Sequence, residues 1–309
     1  MNEKLYSIVV PVYEGEHSLE ELCRRIDTTF ENVEGDYEVI LVDDGSSDNT
    51  WQIMKSLRAK NKKAKIIRLT RNFGQHNAIM CGFRHASGDY FITMDSDLQN
   101  PPEEIPTLIQ ALESSESDLI CGIPTKKQHP LMRKIASTLN QKILSIILKR
   151  DSSQRTSGFR LIRRQVLSHV LQDNTPNPNI GSMIPMATNR TGSIDVKHDK
   201  RVHGSTTYTI DKLVRHFLNG ILYYSAIPLR TVSYLGLMSA LLSVMLSCYY
   251  FTRYLLGKIT VPGWTTVVLL LLFFSGMIMF SLGIIGEYLL RIIQEVRGNP
   301  QYLIREKDV

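Results

Sequence analysis

The chain has 309 residues, with 36 basic and 30 acidic side chains for a net charge of +6, 43% hydrophobic and 21% charged. That balance excludes disorder, collagen-like repeats and a dense disulfide scaffold, and the length suits roughly two units of ~150 residues. Cys23, Cys81, Cys121 and Cys248 show neither a CxxC nor a Cys/His ligand spacing, so they read as reduced, small hydrophobes rather than as zinc ligands. The basic excess forms no stripe interleaved with aromatics, which argues against nucleic acid as a partner. No signal peptide is expected, because the apolar run 6–12 gives way at once to Glu14 and Glu16, so the N-terminal unit stays inside the cell.

In chain order, 6–12 (YSIVVPV) and 37–42 (YEVILV) read as short, buried, β-branched strands separated by a helix over 18–30. A helix over 50–59 precedes a third strand at 64–69, and a helix over 75–85 precedes a fourth at 90–94. The alternation predicts an α/β domain with a mostly parallel sheet and right-handed crossovers, whose ligands sit outside the carboxyl ends of the strands. Acidic residues fall at three of those ends: Glu14 after the first strand, Asp43, Asp44 and Asp48 after the second, Asp95 and Asp97 after the fourth. Alone, DDGSSDNT suits a turn with a helix N-cap and a DxD pair suits any turn; their joint placement points to a site. Asp95, Asp97 and the Gln99 amide supply hard oxygen ligands within five residues. Such ligands suit Mg²⁺ or Mn²⁺ beside a diphosphate. Neither GxGxxG nor GxxxxGK[ST] occurs, so a dinucleotide fingerprint and a P-loop are excluded.

Charge vanishes over 231–252 and again over 259–286. Both runs reach the ~20 apolar residues that a bilayer crossing needs, which predicts a two-helix transmembrane hairpin at 232–251 and 265–285. Lys212, Arg215, Arg230, Arg291, Arg297 and Arg305 flank the outer ends, against Arg253 and Lys258 in the connecting loop. This bias places the N-terminal domain and both termini on the cytoplasmic side of the inner membrane. Between domain and hairpin, 211–230 reads either as an amphipathic juxtamembrane helix touching membrane lipid or as an ordinary surface helix. The expected division is therefore 1–210 cytosolic, 211–230 juxtamembrane, 231–290 transmembrane and 291–309 a cytosolic tail. Gly276, Gly283 and Gly286 on the second span offer close helix approach for a homo-oligomer.

The stretches PVYEGEHSLEEL, VDDGSSDNT, RNFGQHNAIMCGFRHASGDYFITMDSDLQNPPEEIP, LMRKIASTLNQ and TSGFRLIRR together resemble the GT-A inverting glycosyltransferases (glycosyltransferase family 2) that load sugars onto polyprenyl phosphate. The ending GIIGEYLLRIIQEVRGNPQYLI is most similar to the bacterial undecaprenyl-phosphate sugar transferases. The resemblance covers nearly the whole chain. It implies a GT-A, Rossmann-like domain, a nucleotide-sugar donor and a polyprenyl phosphate acceptor. By the same resemblance Pro11, Tyr13, Asp43, Asp44 and Asp95 hold the nucleotide, and Asp97 and Gln99 hold the metal with Asp95 direct or through water. Arg133 and Ser137 are assigned to the acceptor phosphate, with Arg160 and Arg201 as further candidates, and Asp97 and Arg133 carry the catalysis. His76 either touches the donor or serves the helix N-terminus.

The chemistry this implies needs few residues, because a phosphate monoester with a second pKa near ~6 is already an anionic nucleophile at neutral pH. Glu14 and Gly15 stand where the family reads Asn-Glu, and Thr207 where it reads Lys, which bears on the donor rather than on the reaction class. A processive synthase would need a longer channel and a QxxRW-like motif, and a nucleotidyltransferase has no use for a membrane hairpin. A membrane-anchored scaffold that keeps the fold without turnover is the remaining alternative.

Overall fold

A computed structural model describes residues 4–125, 156–176, 178–199, 263–296, 298 and 300–309, with scattered positions between 234 and 256. Two compact units divide the chain: one gathers the described residues up to 199 with Gly298–Val309, and the other holds the long apolar helix.

In the first unit, β1 (Leu5–Val12), β2 (Asp36–Asp43), β3 (Ala64–Leu69) and β4 (Tyr90–Thr93) alternate with α1 (Leu19–Phe30), α2 (Thr50–Lys60) and α3 (Gln75–His85). The expected elements lie within a residue or two of these. After α4 (Ile105–Glu113) come β5 (Leu119–Pro124), β6 (Arg160–Arg163), α5 (Arg164–Val170), α6 (Ile180–Ala187), β7 (Thr191–Val196) and, at the end of the chain, β8 (Ile304–Asp308). One eight-stranded sheet runs β7-β5-β6-β4-β1-β2-β3-β8. The β1–β2, β1–β4, β2–β3 and β5–β7 pairs are parallel, while β6 and β8 run antiparallel to their neighbours.

The near-continuous apolar run of β1 follows from cover on both faces of the sheet. Tyr6, Ile8, Val10 and Val12 join Leu19, Leu22, Ile26, Met54, Leu108 and Leu112 in one layer. Val9, Ile40, Val42 and Ile67 join Ala78, Ile79, Phe83, Val166 and Ile184 in the other. Successive side chains point to opposite faces, so a run without polar alternation marks an α/β/α sandwich.

The expected tail contributes an edge strand that its charged sequence IREKD does not announce: Ile304–Asp308 pairs with β3. Arg84 on α3 fastens the approach to that strand, donating to Gln301 Oε1 at 2.8 Å, Tyr302 Oη at 3.3 Å and Asp173 O at 3.0 Å. Gln301, 5% exposed, donates in turn to the carbonyls of Asp173 and Thr175. Cys23, Cys81 and Cys121 are free and buried, as expected, and burial pushes the thiols of Cys23 and Cys81 up to about 12.

The second unit contains α7 (Trp264–Val296), 33 residues and so about 50 Å long. Its segment Phe273–Leu290 is long and apolar enough to cross a membrane. The helix overruns the expected 265–285 span at its C-terminal end, because charged residues such as Glu287 and Arg291 do not interrupt helical backbone. The partner span 232–251 is described at scattered helical positions only, so the hairpin, like segment 211–230, lies outside the described residues.

Candidate active site at the carboxyl edge of the sheet

The chain lays down β1, β2 and β3 in one direction and then returns to place β4 on the other side of β1. The order of strands reverses between the carboxyl ends of β1 and β4, and a crevice opens at such a point. Tyr13 and Glu14 leave β1 there, and Asp95 to Gln99 leave β4. Pro11 is buried within β1 opposite Val42, so it shapes the strand, whereas Tyr13 is 49% exposed.

Glu14 (φ +51°) and Leu98 (φ +61°) are the non-glycine residues with left-handed backbone among the described residues. Each conformation costs on the order of 1–3 kcal/mol and persists only where the surroundings enforce it. Leu98 is held by its side chain, 5% exposed and packed in the core, which turns the backbone so that half-buried Asp97 and Gln99 flank it. Asp97 Oδ1 accepts from Gln99 N–H at 3.2 Å, and Gln99 O accepts from Asp199 N–H at 2.9 Å. Glu14 is held by its backbone N–H, which donates to Ser46 Oγ at 2.9 Å, while Gly15 N–H donates to Thr50 Oγ1 at 2.9 Å. These bonds tie the β1–α1 loop to the β2–α2 loop.

Asp43 and Asp44 spend their carboxylates inside the protein. Asp43 accepts from Ser46 N–H at 2.8 Å and stands 3.2 Å from Arg68 Nε. Asp44 accepts from Phe73 N–H at 2.7 Å and Gly74 N–H at 2.8 Å. Burial pushes the Asp44 carboxyl up, and those two backbone donors pull it back. Asp44 therefore clamps the β2–α2 and β3–α3 loops into one floor. Arg71, on that floor, lays its guanidinium 4.4 Å from the Phe73 ring centre.

Asp95 is surrounded by residues remote in sequence. Gln75, at the first turn of α3, donates to Asp95 Oδ1 at 2.6 Å. Thr93 Oγ1, at the end of β4, donates to the carbonyl of Gly158, just before β6, at 2.6 Å, and a Cβ on Gly158 would stand 3.6 Å from Asp95 Oδ2. Arg160 pairs in register with Thr93 and is 4% exposed. Its Nη1 donates to Ile180 O at 3.4 Å, and its Nε has no hydrogen-bond partner among the described residues. Burial pulls this guanidinium's pKa down, opposed by the charges of Cys121 and Asp95. Arg160, expected at the acceptor phosphate, is buried in this structure.

Arg133, Ser137 and Arg201 lie outside the described residues. Gln75, Leu98 and Arg68 carry no local signal of these roles; Gln75 adjoins His76 in the FGQH stretch. Among the described residues no three or more Asp, Glu, His or Cys side chains converge as a preformed metal cage. Asp95, Asp97 and the Gln99 amide nevertheless fit a divalent cation that takes one or two carboxylates from protein and the rest from phosphate and water.

The family model "Glycosyl transferase family 2" matches residues 7–171. The undecaprenyl-phosphate 4-deoxy-4-formamido-L-arabinose transferase of Salmonella choleraesuis (strain SC-B67) is 33% identical over 314 residues, 98% of this chain and 93% of the relative. The enzyme of the same name from Edwardsiella ictaluri (strain 93-146) is 33% identical over 310 residues, 97% of this chain and 93% of the relative. Among solved structures, glucosyl-3-phosphoglycerate synthase from Mycobacterium tuberculosis, in complex with Mn²⁺ and uridine-diphosphate-glucose, has a TM-score of 0.52 at 17% identity. That likeness covers 71% of this chain and 77% of that one and concerns the fold.

Proposed function

Because the chain belongs to glycosyl transferase family 2, we propose that it transfers a sugar from a nucleoside-diphosphate sugar, a UDP-sugar first, to undecaprenyl phosphate with inversion. The product is a polyprenyl-phosphate-linked monosaccharide for modification of the cell envelope. The single observation that carries this reading is the turn that follows β4, at the point where the strand order reverses. There Leu98 is forced left-handed beside Asp97 and Gln99, in a chain that matches undecaprenyl-phosphate sugar transferases along 98% of its length.

Tyr13, which is exposed, would meet the nucleotide together with Pro11, Asp43, Asp44 and Asp95. Asp97 and Gln99, with Asp95, would hold Mg²⁺ or Mn²⁺, which when bound neutralises charge on the departing diphosphate. Arg133 and Ser137 are assigned to align the acceptor. An ionised phosphate oxygen of the lipid attacks the anomeric carbon from the face opposite the donor oxygen. As that bond forms, the bond to the diphosphate breaks and its electron pair leaves with the diphosphate oxygen. No protein base is needed, since the acceptor is already ionised.

The apolar segment Phe273–Leu290 supports a membrane-held enzyme acting where its acceptor resides. The proposed topology is a hairpin of 232–251 and 265–285 in the inner membrane with domain and termini cytoplasmic, and Gly276, Gly283 and Gly286 as the face for a homo-oligomer. The test is mass spectrometry of lipid products from undecaprenyl phosphate, Mg²⁺ or Mn²⁺, and a panel of UDP- and GDP-sugars, with wild type and Asp97→Ala. A lipid-phosphate-sugar mass that falls at least ~10²-fold in the variant is expected. Nucleotide binding without product from any donor overturns the reading in favour of a scaffold.

A further inference from the structure

We propose that Gln75 is a positioning residue for Asp95: its side-chain amide fixes one oxygen of that carboxylate without neutralising it, so that Asp95 meets the metal–diphosphate group in one orientation. The inference rests on the reading of Asp95 to Gln99 as the metal-bearing turn.

The contact is direct. Gln75 Nε2 donates to Asp95 Oδ1 at 2.6 Å. Only the NH₂ end of the amide can face a carboxylate oxygen at that distance, so the chemistry fixes which way the amide points. The start of α3 is built to hold this donor. Gly74, with φ +96°, turns the chain into the helix, and its carbonyl accepts from the N–H groups of Asn77 at 3.0 Å and Ala78 at 3.2 Å. The Phe73 and Gly74 N–H groups are bound by Asp44, at 2.7 and 2.8 Å. Asn77, 5% exposed, donates from Nδ2 to Phe73 O at 2.8 Å and to Pro176 O at 3.2 Å. Side chains on a helix tilt toward its N-terminus, so Gln75, at the first position of α3, reaches back out of the helix toward the end of β4. Asp44 thus acts on Asp95 at one remove, through the loop from which α3 begins.

The residue type fits the task. Gln75 is exposed, so the packing of the core gains little from it, and what its bond sets is the plane of a half-buried carboxylate. A first helical turn favours Glu, but a carboxylate at 75 could not donate to Asp95 and would repel it. Lysine or arginine there would donate, yet would cancel the charge that a divalent ion needs. An amide does neither.

Two rival roles make different forecasts. If Gln75 only begins α3, its loss moves the melting temperature and leaves metal binding alone. If it touches the donor itself, its loss weakens UDP binding without metal and adds in full to the loss of Asp95. A positioning role weakens metal binding and does so only while Asp95 is present.

The experiment uses full-length protein in detergent, with Mn²⁺ binding in the presence of saturating UDP read by electron paramagnetic resonance. Gln75→Met keeps the length of the side chain and loses the donor; it is expected to raise the Mn²⁺ Kd at least about fivefold. UDP affinity without metal and the KM for undecaprenyl phosphate should stay within about twofold. Gln75→Asn, which keeps the amide but is one methylene shorter, is expected to fall between Met and wild type. It carries the same comparison should the Met variant lack a melting transition. Adding Gln75→Met to Asp95→Asn is expected to cost less than about twofold more in Mn²⁺ Kd, because the amide acts through that carboxylate. Unchanged or tighter Mn²⁺ binding, weaker UDP binding without metal, or full additivity with Asp95→Asn each overturns the proposal. If wild type with UDP shows no Mn²⁺ site that Asp97→Ala abolishes, the metal-bearing reading fails and takes the proposal with it, an outcome that the Asp97 control identifies.

Discussion

Gly45 tests whether the floor of the site is built as described. It has φ +74°, and a Cβ there would stand 2.5 Å from the carbonyl carbon of Arg71 and 2.8 Å from Arg71 Cα and Asn72 N. Left-handed backbone costs an L residue about 1–2 kcal/mol. The overlap adds about 1–3 kcal/mol, since the atoms met are backbone and cannot rotate aside. Gly45→Ala is therefore expected to destabilise by about 2–5 kcal/mol, on the order of 10 °C in apparent melting temperature for a domain of this size. Gly74→Ala is the control: φ is +96°, yet nothing lies within 4 Å of its Cβ, so only the conformational cost of about 1–3 kcal/mol applies. Both variants are melted in detergent at one scan rate, with UDP affinity measured alongside, because unfolding of such chains is commonly irreversible. Gly45→Ala should melt below Gly74→Ala and bind UDP at least tenfold more weakly. A Gly45→Ala protein that melts within 2 °C of wild type, or above Gly74→Ala, refutes the claim that the β2–α2 and β3–α3 loops share one floor, the temperature margin being roughly 0.5–1 kcal/mol.

Three further outcomes follow from the same structure. Glu38, 8% exposed, accepts from Ser7 Oγ and Ser87 N–H at 2.6 Å each and pairs with Lys65 at 2.7 Å; burial pushes its carboxyl up, but these partners outweigh it and hold the carboxyl below its usual 4.5. A depressed folded value means stability present above about pH 4.5 and lost as pH falls through the folded value, so Glu38→Gln should flatten the acid limb of a stability–pH curve and lower stability by about 1–3 kcal/mol at pH 7; an unchanged acid limb counts against the pairing. Arg84→Met removes the bonds to Gln301, Tyr302, Asp173 and Asn174; amide exchange over 301–308 should rise at least tenfold with little change in β1, and equal protection would show that strand pairing alone holds the tail. Glu14→Asn places a residue tolerant of left-handed backbone at φ +51° and should raise the melting temperature by about 1–4 °C; a fall would mean that the Glu14 side chain, 3.4 Å from Ser47 Oγ, matters more than its backbone.

Much of the fold was legible because buried parallel strands need unbroken β-branched runs and their crossover helices need a 3.6-residue apolar period. YSIVVPV and YEVILV have the first, and LEELCRRIDTTF has the second. The two apolar, uncharged runs near the C-terminus were legible for a different reason, since lipid tolerates little charge over ~20 residues. The acidic ends of β1, β2 and β4 could be read once the strands were placed, because a parallel sheet gathers its carboxyl ends along one edge.

Sequence alone therefore determined the alternation of elements, the edge on which chemistry is placed and the apolar C-terminal region, all of which depend on local period and composition. Tertiary structure decided which carboxylates face inward. Asp43, Asp44 and Asp97 look alike in sequence, yet the first two are buried, Asp43 beside Arg68 of β3 and Asp44 accepting from Phe73 and Gly74 N–H, while Asp97 is half-buried. It also decided that the charged segment IREKD is a strand, since only the free edge of β3 gives it partners, and that Leu98 turns left-handed, since only the core holds its side chain there. The burial of Arg160 depends on the antiparallel pairing of β6 with β4, which sets it opposite Thr93, and no local signal encodes that register.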